Sequence, residues 1–171
     1  VVHTNTKKVY DARRLNTDLI LSQHDCHCPT CVRSGNCTLQ KLANDLNIID
    51  FTYDKKVPKN KWNKHSVIIR EESKCIKCMR CINFCDKIQT LGVWDTAGTG
   101  IRTTIGLREH AFKIEDATCA LCGQCVTHCP VGALHERDDT RAVREALADP
   151  QKITVVQVAP AVRAAWAEGL G

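Results

Sequence analysis

Every one of the twelve cysteines in this 171-residue chain falls in one of three short blocks. They read HDCHCPTCVRSGNC over 24–37, CIKCMRCINFC over 75–85 and CALCGQCVTHCP over 119–130. The second and third share the spacing C-x2-C-x2-C-x3-C, displaced by 44 residues from Cys75 to Cys119. A loop with cysteines at i, i+3 and i+6 wraps a cage-shaped [4Fe–4S] core so that three thiolates meet three irons. The fourth iron is out of reach of the same tight turn, and in two-cluster proteins of this spacing the fourth cysteine ligates the other cluster. The expectation is crossed ligation. Cys75, Cys78, Cys81 and Cys129 would hold one cluster, and Cys119, Cys122, Cys125 and Cys85 the second. Pro130 follows Cys129 as the bacterial pattern expects, whereas Asp86 stands after Cys85.

The first block has a different shape, H-x3-C-x2-C-x5-C, and offers His24, Cys28, Cys31 and Cys37 to a third [4Fe–4S] cluster. A neutral imidazole in place of a thiolate leaves the cluster about one charge less negative, which raises its potential and couples it to protonation. Cys26 is the alternative fourth ligand, but a C-x-C chelate with Cys28 is strained, so His24 is favoured. Cys26 then becomes a spare thiol and His27 an outer or surface group. His3, His65, His110, His128 and His135 lack ligand spacing. No residue is assigned a catalytic role. Structural zinc is the competing metal, but it usually pairs two C-x-x-C hooks across a longer loop. Disulfides are the other competitor, and tight C-x-x-C-x-x-C runs without secretory signs argue against them.

Elements must hold these blocks in place. Residues 10–23 put Ala12, Leu15, Leu19 and Ile20 on one stripe, which predicts an amphipathic helix leading to His24. Residues 39–46 predict a second short helix. DKKVPKNKWNK over 54–64 reads as a charged linker with solvated lysines. Residues 67–69 predict a strand, and LGVWDTAGTGIRTTIG a hairpin between the two matched runs. Those runs read as an internal duplication of a strand–loop–helix unit. RDDTRAVREALAD predicts a helix capped by Asp138 or Asp139 and closed by Pro150. ITVVQVA predicts a buried strand, and Pro160 begins another helix.

Composition narrows the function classes. Aromatic residues make up 5% and hydrophobic residues 43%, a thin core for which bound metal can compensate. The formal charge is +5 with every thiol counted neutral. Three bound clusters would add roughly −5 and bring the chain near neutrality, against a nucleic-acid partner. No stretch is apolar and long enough for a membrane span, and a cytoplasmic location is expected.

With a His/Cys3 block ahead of a two-cluster block, the chain resembles the electron-entry region of [FeFe]-hydrogenases. NAD-linked formate dehydrogenases share the same order, and the complex I large subunit shares the His/Cys3 site. VVHTNTKKVYDARRLNTDLILSQH resembles the tail of a plant-type [2Fe–2S] domain, and QKITVVQVAPAVRAAWAEGLG the first strand and helix of a hydrogenase catalytic domain. The latter distinguishes it from formate dehydrogenases, which would continue into a cysteine-rich pterin domain. The resemblance implies an α+β fold in three parts. Residues 1–60 would form the [2Fe–2S]-type tail and the small helical His/Cys3 module, 61–137 a ferredoxin-like two-cluster domain, and 138–171 the start of the hydrogen-activating domain. It implies an oxidoreductase relay passing single electrons through three [4Fe–4S] clusters. The partners implied are other subunits of a redox complex, flavin- and NAD(P)-binding ones among them, or a ferredoxin. Motifs such as TSCCP and MPC, which carry the H-cluster, are missing, as is the C-x4-C-x2-C signature of a [2Fe–2S] site. Both cofactors are expected in the parent protein outside these residues. A hydrogen-dependent CO2-reducing complex remains open as the setting of such a relay.

Overall fold

The computed structural model describes residues 1–59, 62–63, 65–108, 111 and 113–170. Two units divide the chain, Val1–Arg137 and Asp138–Gly171. In the first, helix α1 spans Lys7–Ser22, started by the Thr6 side chain, which accepts from the Val9 amide. Its buried face is not the predicted stripe. Leu15 and Leu19 are 49% and 42% exposed, while Thr17, Asp18, Leu21 and Ser22 are buried. Polar contacts decide this. The Asp18 carboxylate accepts the Thr52 amide at 3.3 Å, and the Ser22 carbonyl accepts the Lys56 amide at 2.9 Å. A helix whose last turn is satisfied by the returning chain must turn that side inward. The Tyr10 hydroxyl donates to the Leu46 carbonyl at 2.8 Å and ties α1 to α2 (Thr38–Asp45).

The rest of this unit is built on two small antiparallel sheets. β1 (Ile68–Arg70) pairs with β4 (Leu134–Glu136), with Ile69 opposite His135. β2 (Trp94–Ala97) and β3 (Thr104–Leu107) form the predicted hairpin, with Trp94 opposite Leu107. Short helices α3 (Arg80–Asn83) and α4 (Gln124–Thr127) follow the two matched cysteine loops. α3 runs on into a wider turn over Phe84–Ile88. The duplication is narrower than the sequence predicts. Before the third block stands a single turn, Ile114–Asp116, instead of a strand. The strands lie at the outer ends of the repeat and pair with each other, since neither could satisfy its backbone alone. Trp94, Ile105, Ile114 and Val131 are the most deeply buried large side chains, gathered between the sheets and the cysteine loops.

In the second unit, α5 covers Thr140–Ala148 and α6 covers Pro160–Leu170. Asp139 occupies the cap position of α5, and the Asp138 carboxylate accepts the Thr140 amide at 2.9 Å. The buried strand expected from ITVVQVA is not formed. Residues 152–159 are irregular and Ile153 is 94% exposed. Alternating and continuous apolar residues become a strand only when a neighbour accepts their ladder bonds, and no described segment pairs with this one.

Candidate metal centres

The two matched loops fold alike because their backbones turn left-handed at the same offsets. Lys77 and Met79 follow Cys75 with φ of +57° and +60°, and Leu121 and Gly123 follow Cys119 with φ of +51° and +72°. In the second loop this turn swings an amide back toward the sulfur it has just passed: the Leu121 amide donates to Cys119 Sγ at 3.4 Å.

The loops close around two spaces. One is lined by Cys75, Cys78, Cys81 and Cys129, together with Trp94. The other is lined by Cys85, Cys119, Cys122 and Cys125, again with Trp94. Each gathers three cysteines of one run and the last of the other. The exchange follows from the helices: α3 and α4 pack together and carry Cys85 and Cys129 across to the opposite loop. The residues just before those cysteines, Phe84 and His128, stack with ring centroids 3.4 Å apart. The spread is wider than one ion's shell. No three His, Cys, Asp or Glu side chains among the described residues form a site for a single metal ion.

Burial governs the thiols. It pushes Cys81 up to about 12 and Cys125 up to about 11, and raises Cys75 and Cys119 as well. A buried thiolate is costly without a cation, so these sulfurs suit iron that takes the proton's place.

The first block sits against this pair. The Asp25 amide donates to the Ser73 carbonyl at 2.8 Å, and the Thr38 amide to the Pro130 carbonyl at 3.1 Å. Arg33 donates to the Val126 carbonyl at 3.2 Å. Arg33 and Val32 press so close to Gly132 (φ +63°) that a Cβ there would lie 3.0 Å from both. The block is therefore docked beside Cys75 and Cys129. His24 is 7% exposed, and its Nδ1 is buried without a hydrogen-bond partner among the described residues. Burial, then the nearby Lys55 charge, lowers its pKa and keeps the ring neutral. A bare, neutral ring nitrogen is the chemistry a ligand needs, and the residues fit the cluster in that respect. Cys28, Cys31 and Cys37 are half-buried. Burial, then the neighbouring sulfurs Cys26, Cys37 and Cys31, raises the Cys28 thiol. Cys26 Sγ accepts from Lys55 Nζ at 3.0 Å and lies 3.4 Å from the His24 carbonyl. His27 is exposed and pairs through Nδ1 with Asp25.

Several contributors carry no mark in the sequence. Lys55 is exposed, yet its ammonium also donates to the Leu21 and His24 carbonyls at 2.8 and 3.1 Å and lies over the Phe51 ring. Burial works against the Lys74 ammonium, yet Glu71 at 2.9 Å outweighs it and raises its pKa. Glu71 also lies 3.0 Å from His135 Nε2, so that histidine belongs to a half-buried polar network. The Val93 amide donates to Cys85 Sγ at 3.2 Å. No spacing rule identifies any of these, because each depends on how separate segments pack. His110 lies outside the described residues.

Comparison with known proteins agrees with the metal reading at its coarser level. Residues 13–50 match the NADH-ubiquinone oxidoreductase-G iron–sulfur binding region, and residues 74–133 a 4Fe–4S dicluster domain. The whole chain aligns at 42% identity with the NADP-reducing hydrogenase subunit HndD of Solidesulfovibrio fructosivorans, covering 29% of that protein. It is 34% identical over 78% of its length to an NADH-quinone oxidoreductase subunit of Rhizobium meliloti, covering 16% of that protein. The chain thus spans under a third of these relatives. Among solved structures, an NAD+-reducing [NiFe]-hydrogenase in the H2-reduced state superposes with a TM-score of 0.71 at 22% identity. The superposition covers 78% of this chain and 57% of that one, a likeness of fold. None of the described helices is long and apolar enough to cross a membrane. The expectation of [4Fe–4S] clusters on an α+β, ferredoxin-like scaffold holds, and the chain is related by sequence to the iron–sulfur regions of hydrogenase and NADH–quinone oxidoreductase subunits.

Proposed function

We propose that these residues are the electron relay of an [FeFe]-hydrogenase subunit. They would connect a flavin- and NAD(P)-binding partner, or a ferredoxin, with a hydrogen-activating site elsewhere in the protein. The observation that carries the relay is the exchange of cysteines between runs, which surrounds two adjoining spaces with four sulfurs each. Each [4Fe–4S] cluster, when bound, supplies a centre that takes up and gives back one electron. Cys75, Cys78, Cys81 and Cys129 would hold one, Cys85, Cys119, Cys122 and Cys125 the next, and His24, Cys28, Cys31 and Cys37 the third. The first block docks through Asp25 and Thr38 beside Cys75 and Cys129. That contact supports a reading in which the His24 site neighbours the Cys75 site and the Cys75 site links to the Cys85 site.

The chain's own contribution is to set distance, exclude water and tune charge. Cys125 and Cys129 are buried, backbone amides point at the sulfurs, and Lys55 and Lys74 bring positive charge to the first block. Residues 1–60 serve as the leading tail and His/Cys3 module, 61–137 as the two-cluster domain, and 138–171 as the opening of the hydrogen-activating domain. The likeness of residues 151–171 to that domain's first strand and helix favours the hydrogenase over a formate dehydrogenase. Thiolate ligands suit a reducing compartment, the cytoplasm.

Iron and acid-labile sulfide analysis of the purified protein should return roughly twelve irons per chain, three cubanes of four. Stoichiometric zinc without sulfide would reject the relay. In the full-length subunit, hydrogen gas should reduce the cluster signals seen by EPR. Reduction by formate and not by hydrogen would move the assignment to the formate-linked relatives.

A further inference from the structure

The two four-cysteine spaces are lined by the same number of sulfurs and share Trp94, so neither feature sets one apart from the other. Charge does. Arg70, the last residue of β1, lines the space of Cys75, Cys78, Cys81 and Cys129. Among the described residues, only uncharged side chains line the space of Cys85, Cys119, Cys122 and Cys125. The duplication sharpens the contrast. Displaced by the 44 residues that separate the runs, the place of Arg70 falls on Ile114. Both are buried, at 7% and 1% exposed, so one repeat carries a cation where the other carries a hydrocarbon. Arg80 also lines the first space, but it is exposed and water screens its charge.

A buried guanidinium is costly unless it is bonded and paired. Arg70 donates to Thr104 Oγ1 of β3 at 2.9 Å and lies 3.6 Å from the Glu72 carboxylate. Thr104 in turn donates to Glu72 at 2.5 Å, so the inserted hairpin holds cation and anion in place together. The carboxylate is the more exposed partner, 23% against 9%, so water screens it more and a positive field remains at the sulfurs. Burial raises the Cys75 thiol, and the Arg70 charge is among the influences that oppose it.

We propose that Arg70 makes the two centres of the pair inequivalent: its buried charge raises the potential of the centre held by Cys75, Cys78, Cys81 and Cys129, and nothing equivalent acts on the centre held by Cys85, Cys119, Cys122 and Cys125. The inference rests on the proposed function. Uptake of one electron makes a cluster more negative, and a fixed cation beside it stabilises that reduced state.

The test is Arg70→Met in the full-length holoprotein, read by potentiometric EPR titration. Cys78→Ser, which keeps an oxygen ligand on the exposed corner of the same centre, marks which signal belongs to it. The midpoint of that signal should fall in Arg70→Met and stay near the wild-type value in Arg70→Lys, while the other two [4Fe–4S] midpoints do not move. Glu72→Gln, which removes the opposing charge, should shift the same midpoint upward. No shift in Arg70→Met, an upward one, or an equal fall of both dicluster signals would overturn the assignment. So would an equal fall in Arg70→Lys, because packing and not charge would then be at work. Should Arg70→Met fail to hold its clusters, Glu72→Gln decides, and an unmoved or lowered midpoint there overturns the assignment. Wild-type protein lacking [4Fe–4S] signals altogether would instead bring down the proposed function.

Discussion

The loops over 75–81 and 119–125 follow one backbone path in two different settings. Both turn left-handed two and four residues after their first cysteine. Around the first lie the docked His24 block, Arg70 and the Lys74–Glu71–His135 network. Beside the second the Val93 amide donates to Cys85 Sγ, and Trp94 lines both spaces. Ligand geometry is thus a local property that a duplication copies, whereas the environment of each site is built from distant segments that it does not copy. Two centres with the same ligands become inequivalent in this way.

Crossed ligation offers the largest effect. Cys129→Ala should remove the cluster of the opposite run, the one held by Cys75, Cys78 and Cys81, with a loss of about four irons per chain. Iron analysis and EPR check it. Loss of the Cys119–Cys125 signals instead would break the exchange between loops.

The third site extends the comparison to a centre for which we propose a nitrogen ligand. His24→Cys should keep the iron count and lower that centre's potential, because a thiolate adds one negative charge. A redox titration with an unmoved midpoint would count against His24 as a ligand.

The matching turns differ in one residue type, Met79 against Gly123. A side chain in the left-handed region costs about 1–2 kcal/mol. Gly123→Ala has open space for its Cβ, so it should destabilise the holoprotein by about 1 kcal/mol through backbone strain alone. Met79→Gly should relieve a comparable strain, less the entropy the glycine adds to the unfolded chain. Urea midpoints that move in the same direction for both variants would show that the two turns are not equivalent.

A separate comparison concerns the apoprotein. Cys81 and Cys125 are raised from 9.0 to about 12 and about 11. The folded state therefore keeps these protons where the unfolded chain has lost them. Their contribution to stability is whole below pH 9 and falls as pH rises through the window between 9 and about 12. A urea midpoint of the metal-free protein that rises across that window would contradict the burial of these thiols.

Much of the molecule was legible in order. The cysteine spacing announced the two loops, and its expected grouping of sulfurs matches the cysteines that line each space. Period and punctuation gave α1, α2, the hairpin and both later helices within a few residues. The failures share one cause. The stripe of Ala12, Leu15 and Leu19 lost to an inward face closed by Asp18 and Thr52, and ITVVQVA made no strand without a partner. Lys55 read as a solvent lysine until carbonyls 31 and 34 residues away captured it.

Sequence by itself determined which sulfurs a tight loop brings together, because such a loop fixes the reach of its cysteines through bond lengths and a few φ angles. Tertiary structure alone decided that His24 keeps a bare nitrogen, that Trp94 lies between two sets of sulfurs, and that Lys74 is buried beside the first block. Those outcomes depend on which distant surfaces exclude water together, and no spacing along the chain encodes that.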